Sequence, residues 1–103
     1  MAGTNTDSKP RVETRQKTAR PPLHKVILVN DDFTPREFVV RLLKAEFRVP
    51  EAQALGIMLT AHTKGSCLVA VFTREVAEEK ANRATETARA KGYPLLFTTE
   101  PEE

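Results

Sequence analysis

Cysteine is almost missing from this chain: Cys67 stands alone among 103 residues. A single thiol excludes an intrachain disulfide and leaves no cysteine cluster for structural zinc. Long apolar runs are missing too. None approaches the ~20 residues that a bilayer-spanning helix needs, and the first residues lack the apolar core of a secretory signal. There is no glycine-rich phosphate loop, no nucleophile elbow and no internal repeat. Residues 1–22 have no aromatic side chain and almost no large aliphatic one; Thr, Lys, Arg and Pro dominate. Such a stretch buries too little apolar surface to offset its ordering entropy. The expectation is one small cytoplasmic domain over residues 23–103, preceded by a disordered basic extension, residues 1–22, that stiffens at Pro21-Pro22.

The charge is unevenly placed. The formal net charge is +2, yet residues 1–22 alone carry five basic and two acidic side chains, so the remainder is net −1. The basic character belongs to the extension and weakens any reading of the folded body as a nucleic-acid-binding domain. A hydrophobic content of 40% allows a core of modest size.

Periodicity orders the rest. Residues 24–30 read as a strand with Val26 and Leu28 on the core face. Thr34 reads as a helix N-cap with Pro35 at the first helical position, and Glu37 completes a capping-box pattern. Phe38, Val39, Leu42, Leu43 and Phe47 recur at helical spacing. After Pro50, a second helix carries Ala52, Leu55, Ile57, Met58, Leu59 and His62 and stops at Gly65. The apolar run Cys67–Phe72 reads as a buried central strand. Thr73 opens a third helix with a small-residue face of Val76, Ala77, Ala81, Ala84 and Ala88, closed by Gly92 and Pro94. Leu95–Thr99 is the last strand, and Glu100–Glu103 is expected to fray. The order β-α-α-β-α-β predicts a small two-layer α+β sandwich, a three-stranded antiparallel sheet packed against three helices.

Three oxygen-rich side chains, Asn30, Asp31 and Asp32, fall where the first strand gives way to the first helix. Turn chemistry is one reading, since Asn and Asp are common before helices. The other is a site for a cation. Three such residues exceed what one turn needs, and Thr34 already offers a cap. His62 is open to two readings as well: a histidine placed favourably near a helix C-terminus, or a neutral imidazole that accepts a hydrogen bond from a ligand. Met58 suits either core packing or an adaptable pocket wall. Cys67, with no basic neighbour to activate it, reads as an inert buried thiol.

The fragments Lys25-Val26 through Asn30-Asp31-Asp32-Phe33-Thr34-Pro35, Glu37-Phe38-Val39-Val40, Ile57-Met58-Leu59, Ala61-His62-Thr63, Phe72-Thr73-Arg74-Glu75 and Gly92-Tyr93-Pro94-Leu95-Leu96 occur in an order that resembles ClpS-type adaptors. The likeness spans residues 24–99. It implies an adaptor that binds the free N-terminus of substrates beginning with Phe, Tyr, Trp or Leu and hands them to an AAA+ unfoldase of the ClpA type. By this resemblance Asn30, Asp31 and His62 would hold the α-amino group, with Asp32 and Arg36 at the entrance. Thr34, Met58, Ala61 and Leu95 would line the side-chain pocket, and Glu75 and Lys80 would meet the N-terminal domain of the unfoldase. The basic extension would be the part the unfoldase engages. A monomer is implied, with no cofactor, metal, nucleic-acid or membrane partner and no catalysis.

Two positions depart from the family pattern. Arg36 stands where a methionine often gates the pocket; its stem can form an apolar wall while its head reaches solvent or pairs with Asp31 or Asp32. Ala61 stands where a larger valine is frequent. Altered discrimination among first residues is the expected consequence. The competing readings are an RNA- or ribosome-associated protein acting through the basic extension, a small hydrolase built on Asp31, Asp32 and His62, and a structural member of the fold without a pocket.

Overall fold

Leu23–Val29 forms β1, the strand on which the rest is assembled. It pairs antiparallel with β2, Ser66–Thr73, on one side and with β3, Leu96–Pro101, on the other, giving the sheet order β2-β1-β3. Helices α1 (Arg36–Phe47), α2 (Glu51–Lys64) and α3 (Arg74–Ala90) complete the element order expected. This computed structural model describes residues 21–102. All of the expected basic extension except Pro21 and Pro22 lies outside the described residues, as does Glu103.

The helices cover one face of the sheet. Helix α3 touches all three strands, α2 packs on β2 and β1, and α1 closes over α2 and α3. Ala77, Ala81, Ala84 and Ala88 are all buried and form the α3 contact face. Small side chains let this helix lie close to the strands. Val76, expected on that face, is instead 38% exposed. Thr85 ties the helix to β3, accepting a hydrogen bond from the Phe97 amide at 3.0 Å. Val26 and Leu28 of β1 meet Phe38, Val39, Leu42, Leu43 and Phe47 of α1 in one core. Phe47 stacks on Phe97 at 5.5 Å between ring centres, and Phe38 meets Tyr93 edge-on at 4.9 Å. Burying each of these phenylalanine rings stabilises the fold by about 1.5–3 kcal/mol.

Four local expectations need correction. The run Cys67–Phe72 is an edge strand and not the central one. Its unbroken apolar character has another cause. The β1–β2 register shifts between Val26 and Ile27, so that Val26 faces Ala70 while Ile27 faces Leu68. Val69 is the extra residue of this bulge. It switches side-chain parity, so Cys67 and Val69 face the core before it, and Ala70 and Phe72 after it. Cys67 is half-buried, and its thiol donates to the neighbouring Leu68 carbonyl at 3.3 Å.

On α2 the buried stripe is Ala54, Ile57, Met58 and Ala61, an i, i+3, i+4, i+7 set. Ala52, Leu55, Leu59 and His62 are exposed. Strand β3 does not fray at Glu100, because Lys25 pairs with Glu100 and His24 with Pro101 across the ladder. Finally, α1 begins at Arg36 with Pro35 as its cap residue, and no side chain caps it. Thr34 uses its hydroxyl elsewhere.

Candidate functional site

That hydroxyl donates to Oδ2 of Asp31 at 2.6 Å. Oδ1 of the same carboxylate accepts the amides of Phe33 at 2.7 Å and Thr34 at 3.1 Å. A carboxylate has roughly four lone-pair sites. Three are engaged within the loop, leaving one for a ligand. The segment Asn30–Pro35 is therefore folded around Asp31. Turn chemistry and acceptor chemistry coexist in this side chain, with turn formation the larger share. The Thr34 hydroxyl donates to a charged acceptor, which makes a stronger bond than a neutral one, and its oxygen takes no helix amide.

Asn30 is placed by a bond its side chain does not make. Its backbone amide donates to the carbonyl of Gly65 at 3.0 Å. Gly65 ends α2 at φ 95°, in the left-handed region open to glycine, and its own amide returns to the Ala61 carbonyl at 2.8 Å. Asn30 is thereby pinned to the last turn of α2, which carries His62. Residues more than thirty positions apart become neighbours through one strand register and one helix stop.

Between them opens a cavity of about 420 Å³. This lies in the range of about 300–1,000 Å³ usual for small-ligand sites. Its mouth carries Asn30, Asp31, Asp32, Arg36 and His62. Met58, Ala61, Thr34 and Leu95 line it deeper, and all four are buried. Nine of the eleven residues nominated from the sequence thus surround one space. Leu28, Phe33, Pro35 and Val39 line it as well and were not nominated. Leu28 and Val39 carry only the periodicity of core residues. Phe33, 82% exposed, is a large apolar side chain at the rim whose exposure no sequence pattern announces.

Arg36 is exposed, and of the two courses open to its head the pairing with Asp31 or Asp32 is not the one taken. Its Nη2 lies 3.2 Å from Nε2 of His62, across the mouth. Asp32 is exposed and takes no hydrogen bond among the described residues. The combination of free oxygen acceptors and an imidazole above an apolar floor suits a ligand with a cationic head and a greasy side chain. Among the described residues no three His, Cys, Asp or Glu side chains gather as a metal site, and no helix is long and apolar enough to cross a membrane.

Glu75 and Lys80 stand apart from the cavity, on α3. Glu75 is exposed in the first turn. Lys80 is partly buried; its Nζ donates to the Glu46 carbonyl at 3.1 Å and sits 5.7 Å from the Phe72 ring centre.

Residues 19–98 match the sequence model of the family described as ATP-dependent Clp protease adaptor protein ClpS. The ATP-dependent Clp protease adapter protein ClpS 1 of Bradyrhizobium diazoefficiens is 68% identical over 96 residues, 93% of this chain and 95% of that protein. ClpS 2 of Agrobacterium fabrum is 50% identical over the full length of both chains. Among solved structures, that of Agrobacterium tumefaciens ClpS2 bound to L-phenylalaninamide superposes with a TM-score of 0.79 at 54% identity, covering 81% of this chain and all of that one. Family model, fold and matched length agree, and the chain belongs to the ClpS family of ATP-dependent Clp protease adaptors.

Proposed function

We propose that the chain captures polypeptides by a free N-terminus bearing Phe, Tyr, Trp or Leu and delivers them to an AAA+ unfoldase of the ClpA type. The observation that carries this reading is the joining of Asn30 to the end of α2, which sets an amide, two carboxylates and an imidazole around the mouth of an apolar cavity. L-Phenylalaninamide, the ligand of the related structure, has a free amino group, and its amide stands where the next peptide bond would begin. In the present chain Asn30, the remaining lone pair of Asp31 and His62 would receive the ammonium, with Asp32 adding negative charge at the rim. Thr34, Met58, Ala61 and Leu95 would enclose the side chain. Ala61, 1% exposed, leaves more room than a larger residue would.

The energies divide between these parts. A hydrogen bond to a charged group contributes about 1.5–3 kcal/mol. Burying a Phe or Leu side chain adds about 1.5–3 kcal/mol. Acetylation removes the charge and adds bulk, and a charged first residue loses its hydration in the apolar floor. Binding and delivery need no covalent chemistry, so the chain acts without catalysis, as a cytoplasmic monomer. Delivery would use Glu75 and Lys80 on α3 together with the basic extension.

The test is titration of a peptide beginning with free Phe against its acetylated twin. The free peptide should bind at least tenfold more tightly, the factor that corresponds to about 1.4 kcal/mol. Equal affinities would remove the ammonium-capture reading.

A further inference from the structure

Arg36 is a cation standing where a cation is meant to bind. An arginine side chain has donors and no acceptor, so its contact with Nε2 of His62 at 3.2 Å uses the lone pair of that nitrogen. A captured ammonium would seek the same lone pair, and one lone pair cannot serve both. The Arg36 side chain is exposed and borders two spaces. One is the cavity; the other is the groove between α1 and α2 lined by Val40, Arg41, Leu55 and Leu59. The guanidinium therefore has somewhere to go without leaving the mouth.

We infer that Arg36 is a displaceable gate: an arriving N-terminus takes His62 from it, and the released guanidinium then favours an acidic side chain at the second position of the captured chain. This rests on the proposed capture of free N-termini. With the first side chain in the cavity and the amino group at Asn30 and His62, the next residue emerges at the mouth, beside Arg36. The other charges there are known. Asp31 is engaged by three donors of its own loop, and Asp32 is exposed. Glu37 and Arg41 face the groove, where Lys44 is neutralised by Glu51 at 3.0 Å. Without Arg36 the rim would be dominated by carboxylates and would disfavour an acidic second residue. With it, that bias is offset or reversed.

The experiment compares free peptides beginning Phe-Glu, Phe-Ala and Phe-Lys on a common tail, titrated by fluorescence anisotropy against the full chain and its Arg36→Met variant. Methionine keeps an unbranched apolar stem and removes the charge. The affinity ratio of Phe-Glu to Phe-Lys should be about tenfold higher for the unaltered chain, since one exposed attraction and one exposed repulsion are lost. Phe-Ala should bind the variant about threefold more tightly, the scale of one net hydrogen bond. That gain should vanish when both proteins also carry His62→Ala. An equal Phe-Glu to Phe-Lys ratio in the two proteins overturns the selection. Unchanged or weaker Phe-Ala binding by Arg36→Met overturns the displacement. Equal binding of acetylated and free Phe-Ala overturns the capture reading instead, so the two failures are told apart.

Discussion

Thr34 has one hydroxyl proton, and its destination shapes the site. In the sequence Thr-Pro-Arg-Glu matches a capping box, in which the Thr oxygen would accept a helix amide. In the fold Pro35 is extended at ψ 139°, the helix starts one residue later, and the hydroxyl turns to Asp31 instead. Thr34→Val keeps the size and removes that donor. Affinity for a Phe-first peptide should fall by roughly fivefold and stability by about 1 kcal/mol, the scale of a net hydrogen bond, as read by peptide titration and urea unfolding. If neither moves, the Thr34–Asp31 bond is idle. Asn30, Asp31, Asp32 and His62 were legible as candidates because oxygen-rich or imidazole side chains at element ends are uncommon as core. Leu28 and Val39 were not, because an apolar residue that lines a cavity looks the same in sequence as one that fills a core.

Most helix and strand boundaries followed from short-range signals, and the one strand misplaced in the sheet was misplaced for a non-local reason. Prolines at 35, 50 and 94 and glycines at 65 and 92 bounded the elements well. The status of the Cys67–Phe72 run did not follow, since a bulge set by pairing with β1 mimics in sequence a strand buried on both faces. Two glycines, one inside α2 and one capping its end, give a contrasting pair of expectations. Gly65 needs its positive φ, and nothing lies within 4 Å of a Cβ placed there, so the cost of Gly65→Ala is backbone strain and not collision. It should lower stability by about 1–3 kcal/mol and weaken peptide binding, because the same turn holds Asn30. Gly56 lies mid-helix with equally open surroundings. Gly56→Ala should raise stability by about 0.4–1 kcal/mol by restricting the unfolded chain. Chemical denaturation of both variants checks the pair, and the same sign for both would contradict this reading of α2.

Across the molecule, the cavity and the first turn of α3 occupy separate places, so capture and the delivery contact proposed for Glu75 would be separable. Glu75→Ala should leave Phe-peptide affinity within about 0.5 kcal/mol, the usual effect of a surface change. It should slow degradation of a Phe-first reporter by an unfoldase of the ClpA type with its peptidase, measured by loss of reporter fluorescence. Unslowed degradation would take Glu75 out of the delivery contact. Lys80 is less clean, being tied to the Glu46 carbonyl and to Phe72, so its removal would also loosen the fold.

The amino-acid order alone was enough for the element sequence and the fold class, because helix and strand periodicities and their stop signals act within a few residues; the placing of most of the residues around the cavity came from the resemblance to the ClpS family. Three things had to await folding: the place of β1 at the sheet centre, the spending of Thr34 on Asp31, and the meeting of Arg36 with His62 across 26 positions. Each depends on which groups are brought within about 3 Å of one another, the range at which a hydrogen bond acts. The sheet order and the Arg36–His62 contact join distant segments, and the Thr34–Asp31 bond is one of two local uses open to Thr34 between which the side-chain pattern does not choose.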